Sequence, residues 1–230
     1  MSDSANKQEG WADYFSNNPN LKDWLQEKWQ THQPVYDLLN QLLPPNGKML
    51  EVGCGLAATS IKMSLGGISC MALDIDPKVL KLAEELNQGE NSNVSFVQGD
   101  MFNLTEHYGR FDVVYSGGVL EHLDETEAIK LLSEQSKVAK LVLTVIPTKS
   151  EKQKAPILRF PYGIKELVSF GEKAGLKPYS VLLFKGIESS QCHRLTKHKD
   201  LDVFIQSLDL IPAQRIGVVF KSPMIKSITI

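Results

Sequence analysis

Residues 48–60, KMLEVGCGLAATS, join a short apolar run to a helix-forming segment through two glycines. The apolar run predicts a buried strand, and the small residues after it predict the start of a helix. At the bend, Gly53 and Gly55 allow a positive φ and let a ligand approach bare backbone. Helix N–H groups without internal partners point at whatever binds in the turn. The stretch therefore predicts a nucleotide-binding loop, and with Ala58 in third place it also matches the dinucleotide fingerprint.

Length and composition narrow the class of protein. The chain has 230 residues, of which 42% are hydrophobic and 23% are charged, and this predicts one globular domain with a small cap. A net charge of -2 gives no electrostatic footprint for nucleic acid. Three cysteines without metal-ligand spacing favour reduced thiols in the cytoplasm. We expect a cytoplasmic protein with no nucleic-acid or membrane partner, because no leader pattern and no long apolar run occurs.

The first part of the chain is rich in aromatic residues. After a start predicted to be disordered over residues 1–9, the spacings of apolar residues over 21–29 and 35–42 predict short amphipathic helices. All three tryptophans lie within the first 29 residues. They either anchor these helices to the core or cover a ligand pocket. We predict a helical cap over the active site at residues 1–45 and a main domain at residues 46–230.

Beyond the glycine turn, predicted strands alternate with predicted helices. This order is typical of βαβ units and a parallel sheet, whose ligands bind beyond the carboxyl ends of the strands. The predicted strands cover residues 48–52, 69–74, 94–97, 111–115, 141–146, 177–184, 215–220 and 225–230. The predicted helices cover residues 77–86, 125–138, 164–174 and 200–208, and a loop is predicted over residues 149–160.

Polar residues stand at the ends of successive strands. Asp74 follows Gly53 by 21 residues, the spacing of a carboxylate that accepts both hydroxyls of a ribose. Asp100, after the third strand, is placed to accept from the exocyclic amine of an adenine. Either acid alone is equally explained as a helix N-cap. Together with Glu51 and Ser116 at the neighbouring strand ends, they predict one nucleoside ligand.

Four segments in order resemble the motifs of class I S-adenosylmethionine-dependent methyltransferases. They are EVGCG at 51–55, ALDIDP at 72–77, VSFVQGD at 94–100 and FDVVYSGGVLEHL at 111–123. The resemblance covers roughly residues 48–184. It implies a Rossmann-like three-layer α/β sandwich with a seven-stranded, mostly parallel sheet and an antiparallel C-terminal edge. It also implies S-adenosyl-L-methionine as the cofactor.

By this resemblance, one group of residues surrounds the methionine part of the donor. Gly53 and Gly55 would contact it, Glu51 would lie near its ammonium group, and Ser116 and Gly117 would line its end of the site.

A second group would hold the nucleoside of the donor. Asp74 would bind the ribose, Ile75 would pack on the adenine, and Asp100 with Met101 would contact the adenine edge. The chain departs from the usual glycine triplet at Ala57, where small size is kept without the full backbone freedom of glycine.

The class of acceptor is narrowed mainly by sequence motifs that the chain lacks. No Asn-Pro-Pro-aromatic sequence follows the fourth strand, no cysteine stands at the fourth or fifth strand end, and no acids stand there to hold magnesium. These absences leave a small-molecule acceptor, bound beneath the aromatic cap. We expect O- or N-methylation by in-line transfer, without a metal. The sequence is compatible with a homodimer but does not determine the oligomeric state.

No general base is obvious. The candidates for catalysis are Tyr14, His122 and Tyr162, and Arg159 and His193 are further candidates for acceptor contacts. Three alternatives therefore stay open. The protein could cyclise the donor's own aminobutyryl arm and release methylthioadenosine, it could bind a nucleoside without catalysis, or it could be a dehydrogenase.

Overall fold

A computed structural model describes residues 4–104, 108–148, 160, 162–185, 189–194 and 215–223, with the backbone alone described over 4–9 and 189–194. The predicted helix at 200–208 and the predicted strand at 225–230 lie outside these residues, as does nearly all of the predicted loop at 149–160.

The described elements follow the predicted alternation. Three helices come first: α1 (Ser4–Ser16), α2 (Leu21–Thr31) and α3 (Gln33–Leu42). The strands are β1 (Lys48–Val52), β2 (Ser69–Asp74), β3 (Val94–Gln98), β4 (Phe111–Gly117), β5 (Ala139–Pro147), β6 (Lys177–Lys185), β7 (Ser189–Arg194) and β8 (Arg215–Lys221). The other helices are α4 (Ala58–Leu65), α5 (Pro77–Glu90), α6 (Glu125–Val138) and α7 (Ile164–Lys173), with a 3₁₀ turn at Leu120–His122.

The strands form one sheet in the order β3-β2-β1-β4-β5-β8-β6-β7. Strands β1 to β5 pair in parallel, and β8 runs antiparallel between β5 and β6. The Rossmann-like, mostly parallel architecture with antiparallel strands in its C-terminal half is therefore confirmed. The register brings the carboxyl ends of β1, β2, β3 and β4 side by side at one edge of the sheet.

Two details differ from the sequence-based expectation. The described part of the sheet has eight strands rather than seven, because β7 pairs antiparallel with β6 along its whole length. Its sequence, SSQCHR, has no apolar alternation, so only the non-local pairing makes it a strand. The start was predicted to be disordered to residue 9, but α1 begins at Ser4. Good helix formers (Ala, Lys, Gln and Glu) extend the helix ahead of its aromatic part.

Local signals explain the start of the two helices that follow strand ends. Asp76 caps α5 by accepting from the Lys78 N–H at 2.8 Å, and Pro77 occupies the first turn. Asp124 and Glu127 form a reciprocal capping box at the start of α6.

Buried side chains form a separate apolar cluster on each face of the sheet. Along β4, Val113 and Tyr115 belong to the cluster beneath α1–α5, and Val114 to the cluster beneath α6 and α7. The indole N–H of Trp29 in α2 donates to the Ala58 carbonyl at 2.8 Å, which joins the N-terminal helices to α4. In the described part of the chain, no helix combines the length and apolarity needed to cross a membrane.

Close packing at one helical glycine gives a stability prediction. An alanine Cβ at Gly171 of α7 would lie 2.6 Å from Cζ of Phe220, a ring with no exposed surface. We expect Gly171→Ala to lower the free energy of unfolding by about 2 kcal/mol through overpacking. Gly89→Ala in α5 is the matched control. Its Cβ would meet only the flexible end of Lys22, with Cε at 3.7 Å and Nζ at 4.0 Å, so we expect a gain of about 0.5–1 kcal/mol. Urea denaturation measures the free energy of unfolding of both variants. Equal changes in the two variants would contradict the close packing at Gly171.

Candidate active site

The turn after β1 has the left-handed backbone that its glycines permit. Gly53 and Gly55 have φ of 61° and 52°, and the Cys54 N–H donates to the Leu73 carbonyl at 3.0 Å. Ala57, the irregular position of the triplet, also takes a left-handed conformation, with φ of 54°, immediately before α4. A single alanine in this region costs about 1–2 kcal/mol, so the turn keeps its shape without the third glycine.

The Asp74 carboxylate is fixed at the mouth of this turn. Its Oδ2 accepts from the Gly55 N–H at 3.0 Å, and its Oδ1 accepts from the Asp76 N–H at 3.1 Å. Burial raises the pKa of Asp74, and the backbone hydrogen bonds from Asp76, Gly55 and Ile75 oppose that rise. A carboxylate has about four acceptor positions, so these three backbone donors leave acceptor capacity for a ribose hydroxyl.

The end of β3 lies against the end of β2. The Gly99 N–H donates to the Asp74 carbonyl at 2.9 Å. Asp100 is exposed and accepts from the Phe102 N–H at 2.8 Å, and Met101 is half-buried. The Ile75 side chain is 42% exposed. Its exposed face provides an apolar surface beside the two acids.

Glu51 is a buried carboxylate beneath the turn. Its Oε2 accepts from the Ser60 N–H at 2.7 Å, in the first turn of α4. Burial raises the pKa of Glu51 to about 7, although hydrogen bonds from Ser60 and Thr59 and the charge of Lys28 lower it. Near neutral pH, this group therefore exists as both acid and carboxylate.

The end of β4 closes the other side of the turn. Ser116 is fully buried and pairs with Thr144 of β5. Because side chains alternate along β4, the Ser116 side chain points to the face of the sheet that α6 covers. Its hydroxyl has no hydrogen-bond partner among the described residues. Contact with a ligand on the Tyr115 side would therefore come from the backbone of Ser116 and from the half-buried Gly117.

Aromatic side chains of α1 cover the glycine turn. An alanine Cβ at Gly55 would lie 3.3 Å from Cζ of Phe15. The Trp11 ring stacks on Phe15 with centroids 5.8 Å apart and meets the His122 ring edge-on at 5.3 Å. Tyr14, 43% exposed, also packs edge-on against Trp11. Two of the predicted catalytic candidates, Tyr14 and His122, thus contact the same indole.

The other candidates are placed differently. The Tyr162 hydroxyl donates to the Leu123 carbonyl at 2.9 Å, and its ring packs edge-on against Phe170 of α7. Burial raises the pKa of Tyr162, with smaller contributions from nearby acids of α6 and its cap. Arg159 lies outside the described residues, and only the backbone of His193 is described, in β7.

A buried polar cluster beside Glu51 did not emerge from the sequence patterns. The Thr59 hydroxyl lies beside the Glu51 carboxylate and the hydroxyls of Tyr36 and Tyr115, and it opposes the rise of their pKa values on burial. The signal was present in β4, where Tyr115 occupies an inward position between Val113 and a glycine. A tyrosine on the inward face of an apolar strand places its hydroxyl where a partner is required.

Comparison with known proteins agrees with this geometry. A family model described as a methyltransferase domain matches residues 49–141. Ajmaline N-methyltransferase of Rauvolfia serpentina is 37% identical over 101 residues, covering 43% of this chain and 34% of the relative. Norajmaline N-methyltransferase of the same plant is 34% identical over 94 residues, covering 40% of this chain and 32% of the relative. The match thus spans about a third of the length of these curated relatives.

Solved structures share the fold. Magnesium protoporphyrin IX methyltransferase of Synechocystis, solved with bound S-adenosylhomocysteine, superposes with a TM-score of 0.60 at 14% identity, covering 86% of this chain and 84% of that one. A putative methyltransferase of Haloferax volcanii, in complex with the Trm112 activator, gives 0.66 at 14% identity, covering 93% and 97%. Residues 49–141 therefore match a methyltransferase domain, and the described fold is shared with methyltransferases of known structure.

Proposed function

We propose that the protein transfers the methyl group of S-adenosyl-L-methionine to a nitrogen or oxygen atom of a small-molecule acceptor. The Asp74 carboxylate carries this proposal, because the Gly55 N–H holds it at the mouth of a left-handed glycine turn. A fixed carboxylate beside exposed backbone is the arrangement that a ribose and its attached chain require.

The donor is assigned along the edge of the sheet. Asp74 binds the ribose hydroxyls, Ile75 covers the adenine, and Asp100 and Met101 contact the adenine edge. The exposure of Ile75 supports this assignment, since an apolar side chain at a strand end gains by covering a base.

The amino-acid end of the donor is assigned to the glycine turn. Gly53, Gly55 and the backbone at Ser116 and Gly117 surround it, with Glu51 beneath. The buried Glu51 carboxylate supports this assignment, because an ammonium group would compensate its charge.

The N-terminal aromatic residues supply the conditions for transfer. A sulfonium methyl is already activated, so the protein must mainly align donor and acceptor and keep water out. Phe15 and Trp11 cover the turn on the side where the acceptor would approach. His122 is the best-placed base, since it is 9% exposed beside Trp11. Its Nε2 lies 3.9 Å from the Glu121 carboxylate, which would stabilise the protonated ring.

Tyr14 and Tyr162 receive different roles in this proposal. We assign Tyr14 to contact with the acceptor, and its partial exposure beside Trp11 supports this role. The Tyr162 hydroxyl is engaged by the Leu123 carbonyl, so we assign Tyr162 to positioning the segment that bears His122. The names of the curated relatives, both N-methyltransferases, support nitrogen as the acceptor atom.

Donor binding gives the first test. We expect S-adenosylmethionine and S-adenosylhomocysteine to bind in titration calorimetry, with no binding of NAD. Asp74→Asn should weaken binding of both by about 30-fold, or about 2 kcal/mol, through loss of charge-assisted hydrogen bonds. Asp76→Asn is the matched control, because asparagine retains the helix cap. Equal affinities for the wild type and Asp74→Asn would contradict the ribose assignment.

Product analysis then separates transfer from its alternatives. Transfer predicts S-adenosylhomocysteine only when an acceptor is supplied. Methylthioadenosine formed from the donor alone would instead demonstrate rearrangement of the donor. Tight donor binding without turnover over a broad panel of amines and phenols would favour a binding module.

A further inference from the structure

One face of α2 carries basic side chains toward the interior of the site. Trp24, Lys28 and His32 follow one another at intervals of four residues and therefore share a side of the helix. Lys28 Nζ lies 6.0 Å from the centroid of the Trp24 ring, and Trp24 packs edge-on against Phe15 at 6.0 Å. Because Phe15 covers Gly55, this face begins at the glycine turn.

The other end of the same face meets strand β6 in the antiparallel half of the sheet. The buried His32 ring packs edge-on against Phe184 of β6 with centroids 5.7 Å apart. Phe184 is in register with Arg215, the first residue of β8, which also pairs with Pro147 at the end of β5. Arg215 and Val219 are four residues apart in β8, so their side chains point to the same face of the sheet. Val219 belongs to the same buried cluster as Tyr115, so Arg215 lies on the Tyr115 side.

The charges of Lys28 and Arg215 act on the same buried region. Burial lowers the pKa of His32, and the charges of Lys28 and Arg215 lower it further. The charge of Lys28 also lowers the pKa of Glu51, and the charge of Arg215 lowers the pKa of Tyr115. Lys28, one turn before His32, and Arg215, in register with Phe184, thus lie on either side of the contact between His32 and Phe184.

We propose that Lys28 and Arg215 form a carboxylate-binding subsite beneath α2, between the glycine turn and the start of β8. The subsite rests on the proposed methyl transfer and names the chemistry that its substrates carry. Both side chains are half-buried, so a carboxylate between them would be less screened than at the surface. Arginine also offers a fork of donors that matches the two oxygens of a carboxylate.

Two molecules that meet in the pocket can supply this carboxylate. One is the donor, through its amino-acid end, and the other is an acidic acceptor. The two sources are separated by ligand pairs that differ only in this group.

The first experiment tests the donor as the source of the carboxylate (the donor arm of the test). It compares S-adenosylhomocysteine with 5′-methylthioadenosine, which lacks the amino-acid carboxylate. If the donor is the source, Lys28→Gln or Arg215→Gln should weaken S-adenosylhomocysteine at least tenfold and leave methylthioadenosine within twofold. Lys22→Gln on the exposed side of α2 and Lys185→Gln at the exposed end of β6 are the controls. Neither control should change either affinity.

The acceptor arm uses matched acids and amides in the presence of saturating S-adenosylhomocysteine. Benzoate is compared with benzamide, and indole-3-acetate with indole-3-acetamide, by ligand-observed NMR titration. If the acceptor is the source, the wild type should bind at least one acid tenfold more tightly than its amide, and both variants should abolish this preference. Arg215→Lys should restore part of it, because the charge is retained without the fork.

The outcomes are distinguishable from failure of the proposed function. A selective loss of carboxylate binding in either arm supports the subsite and identifies its source. If variants with wild-type melting temperatures keep the wild-type affinities in both arms, the subsite is refuted. If the wild type binds neither S-adenosylhomocysteine nor methylthioadenosine, the proposed methyl transfer itself is refuted.

Discussion

Gly53→Ala is expected to weaken S-adenosylhomocysteine binding by more than about a hundredfold, or about 3 kcal/mol. The alanine Cβ would lie 2.9 Å from Cγ2 of Val119, in the segment after β4. That segment cannot simply withdraw, because the preceding Gly118 N–H donates to the Val145 carbonyl at 2.9 Å. The φ of 61° adds strain of about 1–2 kcal/mol for any L-residue. The turn would therefore shift, and Gly55 and Asp74 would move with it.

Gly67→Ala separates strain from the effect on the site. Gly67 has a φ of 88°, and a Cβ there would meet nothing within 4 Å. It should lower the free energy of unfolding by about 1 kcal/mol and leave ligand affinity unchanged. Calorimetric titration and urea denaturation of both variants provide the comparison. Wild-type affinity in Gly53→Ala would show that the turn does not hold the donor.

Stability should fall as the pH rises through neutrality because of Glu51. Its pKa is about 7 in the folded protein and 4.5 for the unperturbed group, so between these values the folded state binds more protons than the unfolded state. Stability from this group is full below pH 4.5 and is lost as the pH approaches and passes 7. Between pH 5 and pH 8, its contribution to the free energy of unfolding should fall by about 2–3 kcal/mol.

Comparison with Glu51→Gln isolates this contribution from other titrating groups. Glutamine retains the hydrogen bond from the Ser60 N–H without a charge. At pH 5 the two proteins should be similarly stable, and by pH 8 the variant should gain about 2–3 kcal/mol relative to the wild type. A constant difference from pH 5 to 8 would contradict the raised pKa. Saturating S-adenosylhomocysteine should flatten the wild-type pH dependence, if its ammonium group lies beside this carboxylate.

Much of the fold was predictable because its signals are local. The apolar run at 48–52, the glycines after it and the acid at position 74 each depend on a few neighbouring residues. Parallel strands then bring their carboxyl ends together whatever the details of packing. The cap at Asp76 and the strands at 69–74 and 111–115 were found for the same reason.

The remainder depends on contacts between distant parts of the chain. Polar β7 becomes a strand only through pairing with β6. The period of α2 marked Trp24 and Trp29 equally as packing residues. Their surroundings differ, since Trp29 binds α4 and Trp24 joins the aromatic cover. In the sequence, Arg215 is simply a charged residue at the start of a predicted strand, and only the pairing of β8 with β6 places it beside Phe184.

The shared core beneath α2 and α3 limits how such a protein can be re-engineered. Leu25, Val35 and Leu39 are buried in the same cluster as Met49 and Leu182 of the sheet. A cut at residue 45 would therefore strip one face of the sheet, rather than release an independent module. Chimaeras that exchange the aromatic cover of the glycine turn should keep residues 21–42 with their own sheet and vary only α1. Natural variation in α2 and α3 meets the same restriction, because a changed side chain on their buried faces must still fit the core of the sheet.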